Sequence, residues 1–366
     1  MIQILPRTIS YSLGRLTGLG RSVPLPMNLT ISPSPRCNSR CLTCNIWEKR
    51  EQEMSIDEWE RVLKSLGDAP YWITISGGEP FLYPHLAELA RACYTHCRPA
   101  IINIPTNSLL VDRIADTVQT ITTDCSETQI IINLSLDGVG ARHDHIRGVP
   151  GAFERFSKTF AMLQDIARTQ ENLSVGIHSV ISIFNVDDIE LLYDYALALS
   201  PDSYITEIAE ERVELATIGT GITPSADAYR RATDALLRRL DAGKFNGISR
   251  ITQSFRMEYY RLVQRYLVEQ RQMIPCYAGR ASAQIYADGS VWPCCVRADS
   301  MGNLREADYD FGRIWRSDAA AAIRRSIHAK ECACPLANAA YTNMLCHPPS
   351  LLHVARHYVD LSRRAR

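Results

Sequence analysis

Three cysteines with an informative spacing stand near the start of the chain. Cys37, Cys41 and Cys44 follow one another as C-x3-C-x2-C, and thiolates placed in this way can hold three corners of a cubane iron–sulfur cluster. A structural metal site takes four protein ligands, whereas a catalytic site keeps one position open. The triplet therefore predicts a cluster whose fourth iron faces a small molecule, with a zinc knuckle or a chance grouping as the alternatives.

A glycine-rich turn follows the next buried strand. The run Trp72–Ser76 is apolar and leads directly into Gly-Gly-Glu-Pro at residues 77–80. The cysteine triplet followed by a strand that ends in this turn resembles the radical SAM enzyme superfamily. The resemblance implies that the triplet holds a 4Fe–4S cluster and that the open iron binds S-adenosylmethionine (SAM). It further implies that one electron from the cluster releases a 5′-deoxyadenosyl radical, which abstracts a hydrogen atom from the substrate.

The same resemblance implies which residues contact SAM. The backbone of the Gly-Gly-Glu-Pro turn takes the methionine amino group, and polar residues after later strands take the carboxylate and the ribose hydroxyls. A carboxylate suits vicinal hydroxyls, and an arginine pairs with a carboxylate through two hydrogen bonds. The expected contact residues are Gly77, Gly78, Glu79, Pro80, Asn107, Ser135, Asp137 and Arg147. For Asp137 a simple Asp-Gly turn is the alternative, and His143 and His145 are interpreted as structural.

Six of the twelve cysteines lie between residues 276 and 346. The first of them flank a hairpin signal, because alternating apolar residues surround Asp288-Gly289. This region resembles the SPASM/twitch type of C-terminal extension, and its cysteine number resembles the shorter form with one auxiliary 4Fe–4S cluster. The resemblance implies as ligands Cys276, Cys294, Cys332 and Cys334. Cys295 or Cys346 is a substitute ligand, since the late pair is Cys-x-Cys where relatives have Cys-x2-Cys; a zinc ribbon is the alternative.

Strand-like and helix-like runs alternate through the first two thirds of the chain. The strand-like runs are rich in Ile and Val and nearly uncharged, as expected for parallel strands covered by helices. Six β-α repeats favour a parallel barrel or an open α/β sheet, and the resemblance selects a partial (β/α)6 TIM-like barrel with its site at the carboxyl ends of the strands. The predicted strands are Met27–Ser32, Trp72–Ser76, Ala100–Pro105, Gln129–Ser135, Ser174–Ser182 and Ser203–Ile208; the predicted helices are Ser55–Leu66, Pro84–Cys97, Ser108–Ile121, Ala152–Thr169 and Val186–Leu199.

Changes in pattern along the chain predict five parts. These are an N-terminal extension (1–25), the partial barrel (26–222), connecting helices (223–272), a small hairpin-and-helix iron–sulfur domain (273–348) and a basic C-terminal helix or tail (349–366). Both ends are apolar and basic, so contact with an anionic membrane surface is one interpretation, and packing on the domain is the favoured one.

Composition excludes several classes of protein. Lys+Arg and Asp+Glu number 40 each among 366 residues, so no overall charge favours a nucleic-acid partner. No run of 18 apolar residues predicts a transmembrane helix. The cysteines favour metal ligation in the cytoplasm over a secreted disulfide scaffold, and Cys93, Cys97 and Cys125 are interpreted as core residues.

The substrate is less constrained by the sequence than the cofactors are. A ribosomally made peptide and a small biosynthetic molecule, such as an aminocyclitol or another sugar-like alcohol, remain alternatives, with a lipid-linked substrate as a third. Thirty-six residues precede Cys37, which is too few for a winged-helix leader-peptide domain. His178 and the charged run Glu207, Glu210, Glu211, Arg212 and Glu214 are candidates for substrate contact, but a solvated helix face is favoured for the run. The family implies a flavodoxin or ferredoxin as reductant, and a non-catalytic iron–sulfur or zinc scaffold is the remote alternative.

Overall fold

The computed structural model describes residues 4–16, 23–243, 245 and 247–364, so parts of both predicted terminal segments lie outside the described residues. The helices are α1 Ile4–Leu16, α2 Ile56–Leu66, α3 Leu86–Cys97, α4 Val111–Asp124, α5 Ala141–Arg147, α6 Ala152–Ala167, α7 Ile189–Ala198, α8 Ala226–Ala242, α9 Gly247–Glu269, α10 Phe311–Trp315, α11 Asp318–His328, α12 Ala337–Leu345 and α13 Pro348–Arg364. The strands are β1 Asn28–Ile31, β2 Trp72–Ile75, β3 Ile101–Thr106, β4 Gln129–Ser135, β5 Leu173–Ile181, β6 Ser203–Ile208, β7 Ser282–Ile285, β8 Ser290–Trp292 and β9 Gly302–Asn303.

The described strands form one sheet in the order β6-β5-β4-β3-β2-β1-β7-β8-β9. β1 to β6 are parallel and adjacent in chain order, and helices connect them because parallel neighbours need long crossovers. The sheet does not close. The predicted partial barrel of six β-α repeats is confirmed, and each predicted strand lies within one or two residues of the observed one.

Alternate residues of the strands face two different environments. On β2, Ile73 and Ile75 are fully buried in the core formed with α2 and α3, whereas Trp72 and Thr74 are half-buried. The fully buried side is covered by helices, and we call the half-buried side the interior face. The alternation follows from the two-residue period of a strand, so polar residues at every second position line the interior.

The helices begin where local signals place them. The capping box predicted at Ser55 and Glu58 is present at the start of α2. α4 begins three residues later than predicted, because Ser108 takes a left-handed conformation with φ 66°. That conformation cannot belong to the first turn of a right-handed helix.

The C-terminal hairpin extends the barrel sheet. β7 pairs in parallel with β1, with Asn28 opposite Ser282, and β8 then pairs antiparallel with β7. The sequence predicted the hairpin but placed it within a separate small unit. Its position has a physical reason, since β1 would otherwise leave a row of unpaired backbone groups at the sheet edge.

Helices of the C-terminal part pack back onto the barrel. On α12, Asn338 and Thr342 hydrogen-bond the interior side chains of β1, Asn28 and Thr30. α13 packs along α9. Within the described ranges, none of the helices combines the length and apolarity needed to cross a bilayer.

Candidate functional site

The cysteine triplet lies on the loop that follows β1. The three thiols come from one short segment, and neighbouring elements hold it. Asn107, at the end of β3, places its amide nitrogen 3.9 Å from the Cys37 sulfur and donates to Asn38 at 2.7 Å. Arg147, at the end of α5, donates to the Cys41 sulfur at 3.6 Å. The predicted SAM contacts Asn107 and Arg147 are therefore brought to the cysteine loop itself.

The glycine turn packs against the same loop. A Cβ atom at Gly77 would lie 2.4 Å from the carbonyl oxygen of Ser34, and one at Gly78 would lie 2.2 Å from that of Arg36. The amides of Gly78 and Glu79 donate to the same two oxygens, at 2.9 and 2.8 Å. Glycine is thus required for close approach of two protein segments, before any ligand is considered. An ammonium group of a ligand has donors only, so it would need carbonyl oxygens of the turn rather than its amides.

The Glu79 side chain fastens the ends of β2 and β3 together. Its carboxylate accepts hydrogen bonds from the backbone of Asn107 at 2.7 Å, from the Thr106 hydroxyl at 2.8 Å and from the backbone of Phe81 at 3.2 Å. Burial raises the pKa of Glu79 to about 7, against these hydrogen bonds, which lower it. Glu79 shapes the site by fixing the turn, with its own oxygens already engaged. Pro80 begins the short 3-10 turn that follows.

Asp137 and Arg147 form a buried pair beside the cysteine loop. Arg147 Nε lies 3.0 Å from one Asp137 carboxylate oxygen, and the other accepts from the backbone of Val180 at 2.8 Å. The Asp137 backbone amide donates to Nδ1 of His143 at 3.1 Å, and burial lowers the pKa of that histidine to about 4. His143 is therefore a buried structural residue. Ser135 lies on the interior side of β4, beside His178 of β5.

The thiols of the triplet have the chemistry of cluster ligands. Burial raises the pKa of Cys37 to about 11 and that of Cys44 to about 12, and a bound metal reverses this by taking the thiolate. Arg147 supplies positive charge next to them. Among the described residues, no group of three or more His, Cys, Asp or Glu side chains converges closely enough for a single metal ion. Three thiols on one short loop, with the Arg147 guanidinium beside them, have the donor chemistry that an iron–sulfur cluster takes.

Four late cysteines gather at a second place. Cys276, Cys294 and Cys334 are half-buried, and loss of solvent raises the pKa of each thiol, that of Cys294 to about 12. The charges of Cys276 and Cys332 further raise the pKa of Cys294. A cavity of about 60 Å³ is lined by Cys276, Cys332 and Cys334 together with apolar residues of α9 and α12. The segment that carries Cys332 and Cys334 is neither helix nor strand, which allows an i, i+2 pair to face one group.

The two substitute ligands differ in position, since only Cys295 lies in the same apolar cluster as Cys294 and Cys334. Cys346 packs with Tyr11, Met27 and Tyr277 in a separate apolar cluster. Cys295 is buried next to Cys294, but its sulfur accepts a hydrogen bond from Arg212 at 3.8 Å. The structure therefore brings together Cys276, Cys294, Cys332 and Cys334, and leaves Cys346 apart. Cys93, Cys97 and Cys125 are fully buried core residues.

The charged run after β6 differs from its favoured interpretation. Residues 209–217 form no helix, and Glu210 and Glu214 are only 6% and 7% exposed. The interpretation as a solvated helix face is therefore wrong. The signal that would have found them is position: the run follows a strand directly, so it lies at the same sheet edge as the cysteine triplet.

The same segment contacts both cysteine groups. The Asn45 amide, next to Cys44, donates to the Leu215 carbonyl at 2.9 Å, and the Glu214 amide donates to the Cys295 carbonyl at 3.3 Å. The Glu214 carboxylate accepts from Ser32 at 3.0 Å and from Gln284 of β7. This segment therefore joins the barrel edge to the late cysteines by main-chain and side-chain contacts.

Two parts of the chain match known protein families. Residues 31–196 match the radical SAM superfamily, and residues 276–335 match the SPASM iron–sulfur cluster-binding domain. The first range contains the cysteine triplet, the glycine turn and the Asp137–Arg147 pair. The second begins at Cys276 and ends one residue after Cys334.

Individual relatives are distant. The chain is 24% identical over 326 residues to the antilisterial bacteriocin subtilosin biosynthesis protein AlbA of Bacillus subtilis, which covers 85% of this chain and 66% of that protein. It is 29% identical over 214 residues to Fe-coproporphyrin III synthase of Methanosarcina barkeri, over 56% of this chain and 49% of that protein. The chain thus spans less than two thirds of both curated relatives.

The fold resembles a solved structure over most of its length. Streptococcus suis SuiB bound to S-adenosylmethionine aligns with a TM-score of 0.61 at 18% identity, covering 85% of this chain and 70% of that one. SuiB bound to its precursor peptide SuiA aligns with a TM-score of 0.60. Similarity at this level of identity establishes the shared fold.

Proposed function

Because this chain belongs to the radical SAM superfamily and carries an SPASM domain, we propose that it cleaves SAM reductively and abstracts a hydrogen atom from its substrate. The observation that supports this most is the loop of Cys37, Cys41 and Cys44 at the carboxyl edge of the parallel sheet, held there by Asn107 and Arg147. A bound 4Fe–4S cluster supplies the electron for SAM cleavage.

The chain's own residues would place SAM against that cluster. The glycine turn fixes the cysteine loop. The proposed acceptors for the methionine ammonium group are the carbonyl oxygens of Gly77 and Gly78, because those of Glu79 and Pro80 accept from Leu82 and Tyr83. Arg147, which contacts Asp137 and Cys41, is the proposed partner of the SAM carboxylate. Ser135 on the interior face is the proposed ribose contact, and Asp137 would orient Arg147.

A second cluster belongs to the proposal. Cys276, Cys294, Cys332 and Cys334 would hold an auxiliary 4Fe–4S cluster in which all four irons have protein ligands, a closed arrangement that suits electron transfer. Arg297 lies beside Cys332 and would offset part of the thiolate charge.

A peptide is the substrate class that we propose first. The name of AlbA places it in bacteriocin biosynthesis, and SuiB is seen with a precursor peptide. A small-molecule substrate is the second candidate, because the chain is also similar to Fe-coproporphyrin III synthase. A flavodoxin- or ferredoxin-type protein would supply the electrons. A cytoplasmic location is proposed because no cysteine forms a disulfide in the described chain and cluster ligation needs reduced cysteines.

The first test is iron and sulfide per chain after anaerobic reconstitution. Wild type is expected to hold about eight irons, and the Cys37/Cys41/Cys44→Ala triple variant about four. Release of 5′-deoxyadenosine after dithionite reduction is then measured on the same samples. Absence of 5′-deoxyadenosine from wild type with both clusters intact would contradict the enzymatic proposal and favour a scaffold. About four irons in wild type and none in the triple variant would contradict the auxiliary cluster.

A further inference from the structure

A chain of charged side chains lies on the interior face of β5 and β6. His178 and Glu207 are half-buried there, whereas Tyr204 and Thr206 on the alternate side of β6 are buried and contact residues of α9. His178 is paired in register with Ser135, the proposed ribose contact on β4. Side chains at this level of the interior therefore stand next to the place proposed for SAM.

Four of these groups form a continuous chain, which we call the interior charge cluster: His178, Glu207, Arg212 and Glu210. His178 Nε2 lies 3.5 Å from one Glu207 oxygen, and Arg212 Nη2 lies 3.7 Å from the other. The same Arg212 nitrogen lies 2.8 Å from Glu210. One guanidinium therefore serves two carboxylates.

The residues around the interior charge cluster do not add enough positive side chains to match its carboxylates. Arg256 of α9 is directed to the backbone oxygen of Tyr204, and the third carboxylate, Glu214, is satisfied by Ser32 and Gln284. Three carboxylates, Glu207, Glu210 and Glu214, therefore share this neighbourhood with two guanidinium groups, Arg212 and Arg256. Burial raises the pKa of Glu210 to about 7; Arg212 lowers it and Glu207 raises it.

Glu210 has few donors for a buried carboxylate. It is 6% exposed, and Arg212 lies 2.8 Å from its Oε1 as an ion pair, but no donor in the described part of the chain reaches its Oε2. A carboxylate buried in this state is costly. His178, Glu207 and Arg212 keep about one fifth of their side chains exposed, so a ligand in the interior can reach the cluster.

We propose that the interior charge cluster binds a protonated primary amine of the substrate. An ammonium group carries one positive charge and three donors with no acceptor, which suits a neighbourhood where carboxylates outnumber guanidinium groups and Glu210 Oε2 has no donor. An anionic group would meet the carboxylates, and an alkyl group would leave them unpaired. The amine belongs either to a lysine side chain of a peptide or to an amino-bearing small molecule. The inference rests on the proposed function, because it places this amine beside the SAM site.

Two matched probe pairs test the inference on the reconstituted holoenzyme with SAM bound. The peptide pair is N-acetyl-lysine methylamide and N-acetyl-norleucine methylamide, and the small-molecule pair is trans-2-aminocyclohexanol and trans-1,2-cyclohexanediol. Saturation-transfer NMR measures their affinities for wild type, for Glu210→Gln and Glu207→Gln, and for Glu171→Gln, which changes an exposed carboxylate ahead of β5. Iron content and circular dichroism verify that each variant is folded.

We expect wild type to bind at least one amine about tenfold more tightly than its neutral counterpart. Glu210→Gln and Glu207→Gln should reduce that preference to about twofold or less, while Glu171→Gln retains it. Preference within the lysine pair points to a peptide, and preference within the aminocyclohexanol pair to a small molecule. Equal affinity within both pairs, no binding of any probe, or a preference that survives in Glu210→Gln overturns the inference.

The same samples separate this inference from the proposed function. Release of 5′-deoxyadenosine by wild type without any probe reports on SAM cleavage alone. Cleavage without amine preference removes the amine subsite and leaves the proposed function standing. Amine preference without SAM cleavage supports the amine subsite and contradicts the proposed function.

Discussion

The two cysteine groups of this protein are built in different ways. Cys37, Cys41 and Cys44 come from one loop, and polar groups at three different strand or helix ends hold that loop. Cys276, Cys294, Cys332 and Cys334 come from three separate segments and are half-buried, with apolar residues of α9 and α12 nearby. The first group has three cysteines and charged neighbours, and the second has four cysteines and a small cavity.

This difference indicates different tasks. A loop with three ligands and an arginine beside it leaves room for a ligand that carries its own charge, such as SAM. The four half-buried late cysteines would leave no open iron in the auxiliary cluster that we propose. The carboxylates after β6 lie between the two groups, since the segment that carries them contacts both.

The largest expected effect comes from the first group. Cys37→Ala, Cys41→Ala or Cys44→Ala should each abolish 5′-deoxyadenosine release, because a cubane with two protein ligands would not be retained in the active arrangement. Product is measured by mass spectrometry after dithionite reduction. Cys93→Ala, which removes a fully buried core thiol, is the control and should retain both clusters. Normal release by any variant of the triplet contradicts its assignment as the SAM-binding cluster.

Loss of one thiol from the second cysteine group should affect iron content and substrate turnover but not SAM cleavage. Cys276→Ala is expected to lose about four irons and substrate turnover while retaining SAM cleavage in the absence of substrate. Cys346→Ala is the matched control, because Cys346 packs against Tyr11 and Tyr277 away from the other thiols, and its iron content should equal that of wild type. Iron loss in Cys346→Ala, or none in Cys276→Ala, would revise the set of auxiliary ligands.

Breaking the buried Asp137–Arg147 ion pair, next to the first cysteine group, should lower the free energy of unfolding. Arg147→Met leaves Asp137, whose side chain is 3% exposed, without its cation, and breaking a buried pair in this way costs about 3–5 kcal/mol. The urea midpoint of the cluster-free protein should fall accordingly. Adding Asp137→Asn should recover part of the loss, because no buried charge then remains. The control is Arg168→Met, which breaks an exposed pair with Asp165 and should change the urea midpoint little. Equal midpoints for all variants would show that the Asp137–Arg147 pair does not stabilise the fold.

The smallest effect concerns the packing of the glycine turn. Gly78→Ala places a Cβ atom 2.2 Å from the Arg36 oxygen, so the turn and the cysteine loop must separate, at a cost of about 1–3 kcal/mol. We expect incomplete cluster occupancy at the first site, measured as iron per chain. Gly14→Ala, with no atom within 4 Å of the added carbon, should be neutral or stabilising. Full occupancy in Gly78→Ala would mean that the turn does not position the loop.

Much of the barrel could be predicted because its pattern is local. Apolar runs at β2, β3 and β4 and the capping box at Ser55 each carry their signal within a few residues. The attachment of β7 to β1 could not be predicted in this way. Pairing between strands some 250 residues apart (Asn28 opposite Ser282) depends on which edge is left open once the other strands have paired.

The candidate site also has parts that short sequence motifs predict and parts that depend on contacts between distant segments. The cysteine triplet and the glycine turn could be identified from spacing alone. The partners of Asp137 and Glu79 could not, because both carboxylates are engaged by residues of other strands and of helix α5. Burial of Glu210 and Glu214 was missed because a charged run in sequence is usually solvated, and only the packed edge of the sheet removes it from water.

The sequence by itself determined which groups are present for chemistry, the order of strands and helices, and the glycines that allow the turn to approach the cysteine loop. These depend on residue type and on short spacing, which are the same in any conformation of the chain. Only the tertiary structure decided which four late cysteines meet, that Cys346 is not one of them, and that one arginine serves the two carboxylates Glu207 and Glu210. Those outcomes depend on contacts between distant segments, where burial and charge are set by what the rest of the fold leaves open.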